Sequence, residues 1–178
     1  MIATAFGFLF SPTAQWKKVA ALSDEKLRIY LLYPVILGII PAVAWYHGTT
    51  NTGWTVGTDE PIFLTSASAL RIAILFYLTE ILAIWTIGGF IHWMSATYNA
   101  TSTLIKGVAI AGFTTTPFLI GGAVGLFPIL WLDILIALLA VTQSVYLLYK
   151  GIPIVMKIPA EQGFLFASAM IAVGMVIL

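Results

Sequence analysis

The chain has 178 residues, of which 61% are hydrophobic and 8% charged, with eight basic and seven acidic side chains and a net charge of +1. Soluble domains are about 45–50% apolar and about 25% charged, so this charge set is too small to clothe a water-exposed surface. With a mean hydropathy of +1.04 and no cysteine, the composition excludes disorder, a disulfide scaffold and a basic nucleic-acid binder, and leaves an integral membrane protein.

Residues 1–10 are apolar but lack the basic start and small-residue cleavage site of a signal peptide. Ser11 and Pro12 read as an N-cap and first helical residue. The helix they open puts Trp16, Val19 and Ala20 on one face, with Lys17 and Lys18 beside it. Residues 1–23 are thus expected to form a cytoplasmic, interfacial segment, anchored by Trp16, Lys17 and Lys18 at headgroup depth. Packing of this helix on the bundle is the other reading. Ser23, ahead of Asp24 and Glu25, then caps the first span, its acids at the positive end of the helix dipole.

Residues 29–58, 81–105 and 107–132 contain no Asp, Glu, Lys or Arg. A helix crosses a bilayer in about 20 residues, so spans are expected at about 27–46, 70–94, 108–126, 128–149 and 163–178. The expected fold is all-α: one membrane domain over 1–178, a polytopic bundle of five transmembrane helices. These runs are continuously apolar, unlike the alternating strands of a barrel. Pro34, Gly38 and Pro41 should bend the first span. The loop 47–68, with three glycines and residues Thr49 to Thr52, reads as turns. The last apolar run stops without a polar terminator, so the expectation is that the protein continues beyond Leu178.

Seven of the eight cations (Lys17, Lys18, Lys26, Arg28, Lys106, Lys150 and Lys157) fall on one side of this layout, and only Arg71, near Asp59 and Glu60, on the other. The positive-inside bias puts the N-terminus in the cytoplasm and, after five spans, the C-terminus in the periplasm.

Within the spans, Glu80 is deepest, about 15 Å along the second helix. A charge there costs at least ~2.5 kcal/mol. Glu80 reads either as a protonation or ion site of a transporter or as a neutral carboxyl bonded to a neighbouring helix. The second is preferred, because no cation lies at its depth. Asp133 and Arg71 both lie toward the outer leaflet and would pair if the second and fourth spans were adjacent. In the third span, Thr114, Thr115, Thr116 and Pro117 predict a break, since Pro117 cannot donate to the Phe113 carbonyl and threonine hydroxyls would satisfy the freed groups. Gly121 and Gly125 follow at the spacing of a close helix contact. Packing is the first reading of this segment, a substrate or ion site the second.

Catalytic signatures are missing: there is no zinc-protease motif, nucleophile elbow, phosphate loop or dinucleotide fingerprint. His47 and His92 lie on opposite sides, so no metal site is expected, and no cofactor.

Taken together, Leu9-Phe10-Ser11-Pro12 with Trp16, Gly48-Thr49-Thr50 with Gly53-Trp54, Gly112-Phe113 with Thr116-Pro117, and the run from Tyr146 through Gly151 to Pro153 with Glu161-Gln162-Gly163 resemble the bacterial branch of the Yip family, the Ypt/Rab-interacting membrane proteins. The resemblance implies a five-span bundle with a cytoplasmic N-terminus, in the bacterial inner membrane. It implies no catalytic residues. Rab GTPase binding does not carry over, because the Asp-Leu-Tyr-Gly-Pro motif and the long N-terminal region of the eukaryotic relatives are absent. The expected role is that of a non-enzymatic membrane organiser or accessory subunit, with membrane lipids, other integral subunits or a second copy as partners and no nucleic acid. A carrier or channel built on Glu80, Asp133 and the broken third span is the alternative.

Overall fold

The computed structural model describes residues 2–55 and 60–177. Gly57, Asp59 and Leu178, which entered the sequence reading, lie outside them. The described residues form a helical membrane bundle. Among the described residues the only β pairing is two isolated bridges, Trp54 with Ile62 inside the outer loop and Thr55 with Ile129 just ahead of the fourth span.

Two short helices lead, α1 (Ile2–Phe10) and α2 (Pro12–Ala20). Pro12 opens α2 as expected, but the Ser11 side chain makes no capping hydrogen bond. The first span, Asp24–Thr52, is a chain of pieces: α3 (Asp24–Tyr30), α4 (Leu32–Leu37), α5 (Ile39–His47) and a π-helical turn, Gly48–Thr52. Its breaks at Leu31 and Gly38 each lie three residues before a proline, Pro34 and Pro41, where the ladder loses a donor. Ser23 occupies the cap position of α3, but its hydroxyl is not engaged there. At the far end, the Thr49 and Thr50 hydroxyls donate to the carbonyls of Trp45 and Tyr46 (2.7 and 2.8 Å), which closes the turn.

The second span is α6 (Ser66–Ser95), four residues longer at its start than expected because Thr65 accepts from the Ser68 amide and caps it there. The third is α7 (Leu104–Thr114) and α8 (Thr116–Gly121), bent by 41° and ending in a 3-10 turn, Gly122–Leu126. The fourth, α9 (Leu130–Met156), passes Lys150, Gly151 and Pro153, which the sequence reading assigned to a connection, and stops at Lys157 in a left-handed conformation (φ 55°). Last comes α10 (Ala160–Ile177), which begins three residues earlier than the expected 163 and whose 18 residues make about 27 Å of helix. Three helices are each long and apolar enough to cross a membrane, the bent pair makes a fourth, and α10 is a shorter apolar helix.

The core gathers around α7. Phe113 stacks on Phe8 (4.7 Å between ring centres), with the rings of Tyr33, Tyr30 and Trp16 at 4.9, 5.6 and 6.1 Å. Trp16 is fully buried. Its indole lies against Gly151 of α9, where an added Cβ would come within 2.6 Å of the ring. The expectation of a Trp16 anchor at headgroup depth is therefore corrected: α2 docks on α9 and turns this side chain inward, while Lys17 and Lys18 stay exposed.

Glycines set the closest helix approaches. At the α6–α7 crossing, a Cβ on Gly88 would sit 2.5 Å from the Val108 Cα, and one on Gly107 would collide with the Gly88 carbonyl. Pro34 and Pro41 of the first span seat against Gly112 and Gly122 of the third. Gly121 and Gly125 were expected to line one helix contact. Instead Gly121 faces Ile136 of α9 and Gly125 faces the Trp45 ring of α5. The reason is the 3-10 turn, whose tighter winding swings Gly125 away from the side Gly121 shares with α9.

Candidate functional site

At the break in the third span, threonine hydroxyls take up two backbone carbonyls. The Thr116 hydroxyl donates to the Phe113 carbonyl (2.6 Å), the one Pro117 leaves without an amide, and Thr115 donates to Gly112 (3.0 Å). Because the single Thr116 proton is committed, the 2.8 Å bond between Thr116 and Tyr33 has the tyrosine as donor. Both side chains are wholly buried. Pro117 is buried too, and the Thr114 hydroxyl is buried without a hydrogen-bond partner. The segment is a joint locking the third span to the first. Thr116→Val should leave two buried groups unpaired and cost about 2–4 kcal/mol, against about 1 kcal/mol for Tyr33→Phe. Thermal melting of the purified variants checks this order.

Glu80 faces the bend of the first span. Its Oε2 is buried, without a hydrogen-bond partner, and lies 3.2 Å from where a Cβ on Gly38 would stand. One turn earlier on α6, Tyr77 donates to the Val35 carbonyl (2.8 Å), a second polar tie across the same bend. The preferred reading had Glu80 bonded to a neighbouring helix. It does neighbour one, but without a bond.

Arg71 and Asp133 are not paired. Arg71 is exposed, and both Asp133 carboxylate oxygens are buried without a partner. The expected pair required adjacent second and fourth spans, whereas α6 packs chiefly on α5, α7 and α10, and α9 on α2, α7, α8 and α10. Among the described residues the one ion pair is Lys106–Asp24, at 3.8 Å, and no three metal-ligating side chains cluster. Two concavities between the first and second spans, of about 230 and 260 Å³, are almost wholly apolar, and neither Glu80, Asp133 nor residues 114–117 line them.

The polar candidates thus occupy four separate places: the bend of the first span, the break of the third, the start of the fourth and, for the exposed Arg71, the start of the second. Tyr33 and Tyr77, which complete the first two, were missed by sequence reasoning. A signal for both existed, since Tyr33 adjoins Pro34 and Tyr77 lies one helical turn from Glu80.

No solved structure matches the chain. Two curated relatives do: the inner membrane protein YohC of Escherichia coli K12 and that of Escherichia coli O6:H1. Each is 32% identical over 173 residues, which cover 97% of this chain and 89% of the relative. The Yip1 domain model matches residues 6–178, and with this extent of agreement the chain belongs to the Yip1 domain family of integral membrane proteins.

Proposed function

We propose that this chain is a non-enzymatic protein of the bacterial inner membrane that works through helix and lipid contacts, as an organiser of the membrane or an accessory subunit of a larger membrane complex. The observation that carries this reading is the outward face of its longest helices. Only 17% of the most apolar stretch of α6 is buried, and likewise of α9, against 44% in the first span. Leu75, Leu82, Trp131 and Leu138 all point away from the bundle. In lipid such faces meet acyl chains or another helix, and packing rather than chemistry is what they offer. The location follows the inner-membrane relatives and the basic bias of one end, which also orients the chain with its N-terminus in the cytoplasm and its last helix leading to the periplasm. A reporter fused to the N-terminus should therefore read the cytoplasmic side, and a periplasmic signal would reverse this orientation.

A small-solute or ion carrier is the second reading. Its support is the unpartnered Glu80 oxygen beside the Gly38 break, since interrupted helices form ion sites in transporters. One experiment separates the two. Extraction in native lipid followed by mass measurement should find a second copy, another integral subunit or retained lipid with the chain, and reconstituted vesicles should show no proton flux above empty ones. A lone, lipid-free chain whose vesicles carry a proton flux that Glu80→Gln abolishes would overturn the contact reading in favour of the carrier.

A further inference from the structure

At the basic end of the bundle, a groove of about 370 Å³ opens where α3, α6 and α7 meet, lined by Arg28, Leu31, Trp85, Leu104 and Ile105. Four of its five lining side chains are apolar, and the fifth is an exposed arginine. The acids nearby in sequence do not neutralise Arg28: Asp24, one turn earlier, is engaged by Lys106, and Glu25 forms no ion pair with it. Lys106 is occupied by Asp24, so Arg28 is the one cation that lines the groove. The groove therefore presents an apolar wall with a cation at one end, the complement of an amphiphile with an anionic head.

We infer that this groove is a binding site for one anionic phospholipid of the leaflet at the basic end, its phosphate held by the Arg28 guanidinium and an acyl chain laid along Leu31, Trp85 and Leu104. Guanidinium matches a phosphodiester through two parallel hydrogen bonds, and basic pockets between membrane helices select anionic headgroups. The aliphatic and indole surfaces hold the chain whatever the headgroup, while Arg28 supplies the preference for charge. The site rests on the contact reading above and gives it a specific lipid class.

The test titrates the full chain in neutral detergent with dioleoylphosphatidylglycerol or dioleoylphosphatidylethanolamine and counts bound lipid by native mass spectrometry. The wild-type chain should bind the anionic lipid more tightly. Arg28→Gln should weaken that binding about fivefold, to the level of the zwitterionic lipid. Leu104→Trp, which fills the groove, should weaken both lipids, and the double variant Lys17→Gln/Lys18→Gln should change neither. Equal affinity for the two lipids, an unchanged Arg28→Gln, or an equal loss in the lysine double variant overturns the site, the last by showing diffuse surface attraction. Those failures would leave a retained second copy or subunit standing, whereas a proton flux dependent on Glu80 would sink the contact reading and leave the lipid titration as it was.

Discussion

Gly88→Leu is expected to prevent the protein from accumulating in a folded form. At this crossing the α6 and α7 backbones touch, and the obstacle to any Cβ is the Val108 Cα itself, 2.5 Å away. A side chain can rotate aside, but a backbone moves only with its helix. The cost should reach about 3 kcal/mol or more, the upper end for overpacking. Gly89 supplies the control, for a Cβ there meets nothing within 4 Å. Gly89→Leu changes helix propensity and apolar bulk in the same way and should leave yield and melting temperature almost unchanged. Size-exclusion profiles and melting curves of the pair decide it. Equal behaviour of the two variants would mean that α6 and α7 do not cross at Gly88.

The second large effect is expected from Trp16→Ala. The indole is fully buried among Phe8, Phe113 and Gly151 and joins α2 to both α7 and α9. Truncating such a side chain costs about 3–5 kcal/mol. The loss should be local at first, since the indole joins α2 to two spans at once and leaves α1 and α2 held by the Phe8 stack on Phe113, the buried Val19 and Gln143 donating to the Leu9 carbonyl at 3.3 Å. Limited proteolysis should therefore cut the Trp16→Ala chain before Asp24, while Lys17→Ala, on the exposed face, stays resistant. An anchor at headgroup depth predicts the opposite, a loss of membrane affinity with no change in cleavage.

Local rules made the elements legible. Pro117 removes one amide and Thr116 can reach back three residues, so the break and its repair follow from neighbours in sequence. Pro34 and Pro41 bend the first span for the same reason. Pro153 shows where local rules stop. The fourth span was expected to end at about residue 149, yet α9 runs past Pro153 to Met156, because Trp16 packs at Gly151 and the Pro153 ring lies against Gly163. Both contacts join residues far apart in sequence or across a turn, and no periodicity within one helix announces them. The polar site was legible in its members and illegible in its pairing. Glu80, Asp133 and Arg71 could be picked out by charge alone. Which of them meet depends on which spans are adjacent, and apolar runs of similar length do not encode that order.

The hydroxyls of Thr115 and Thr116 return to carbonyls of their own segment, three residues back. The third span can thus lie angled in the hydrocarbon without help from another helix and without exposing the Gly112 or Phe113 carbonyl to acyl chains. Tyr33 then needs only an oxygen lone pair on which to land. The angle is therefore a property of the third span itself, and the contact with the first span locks a bend whose carbonyls are already satisfied.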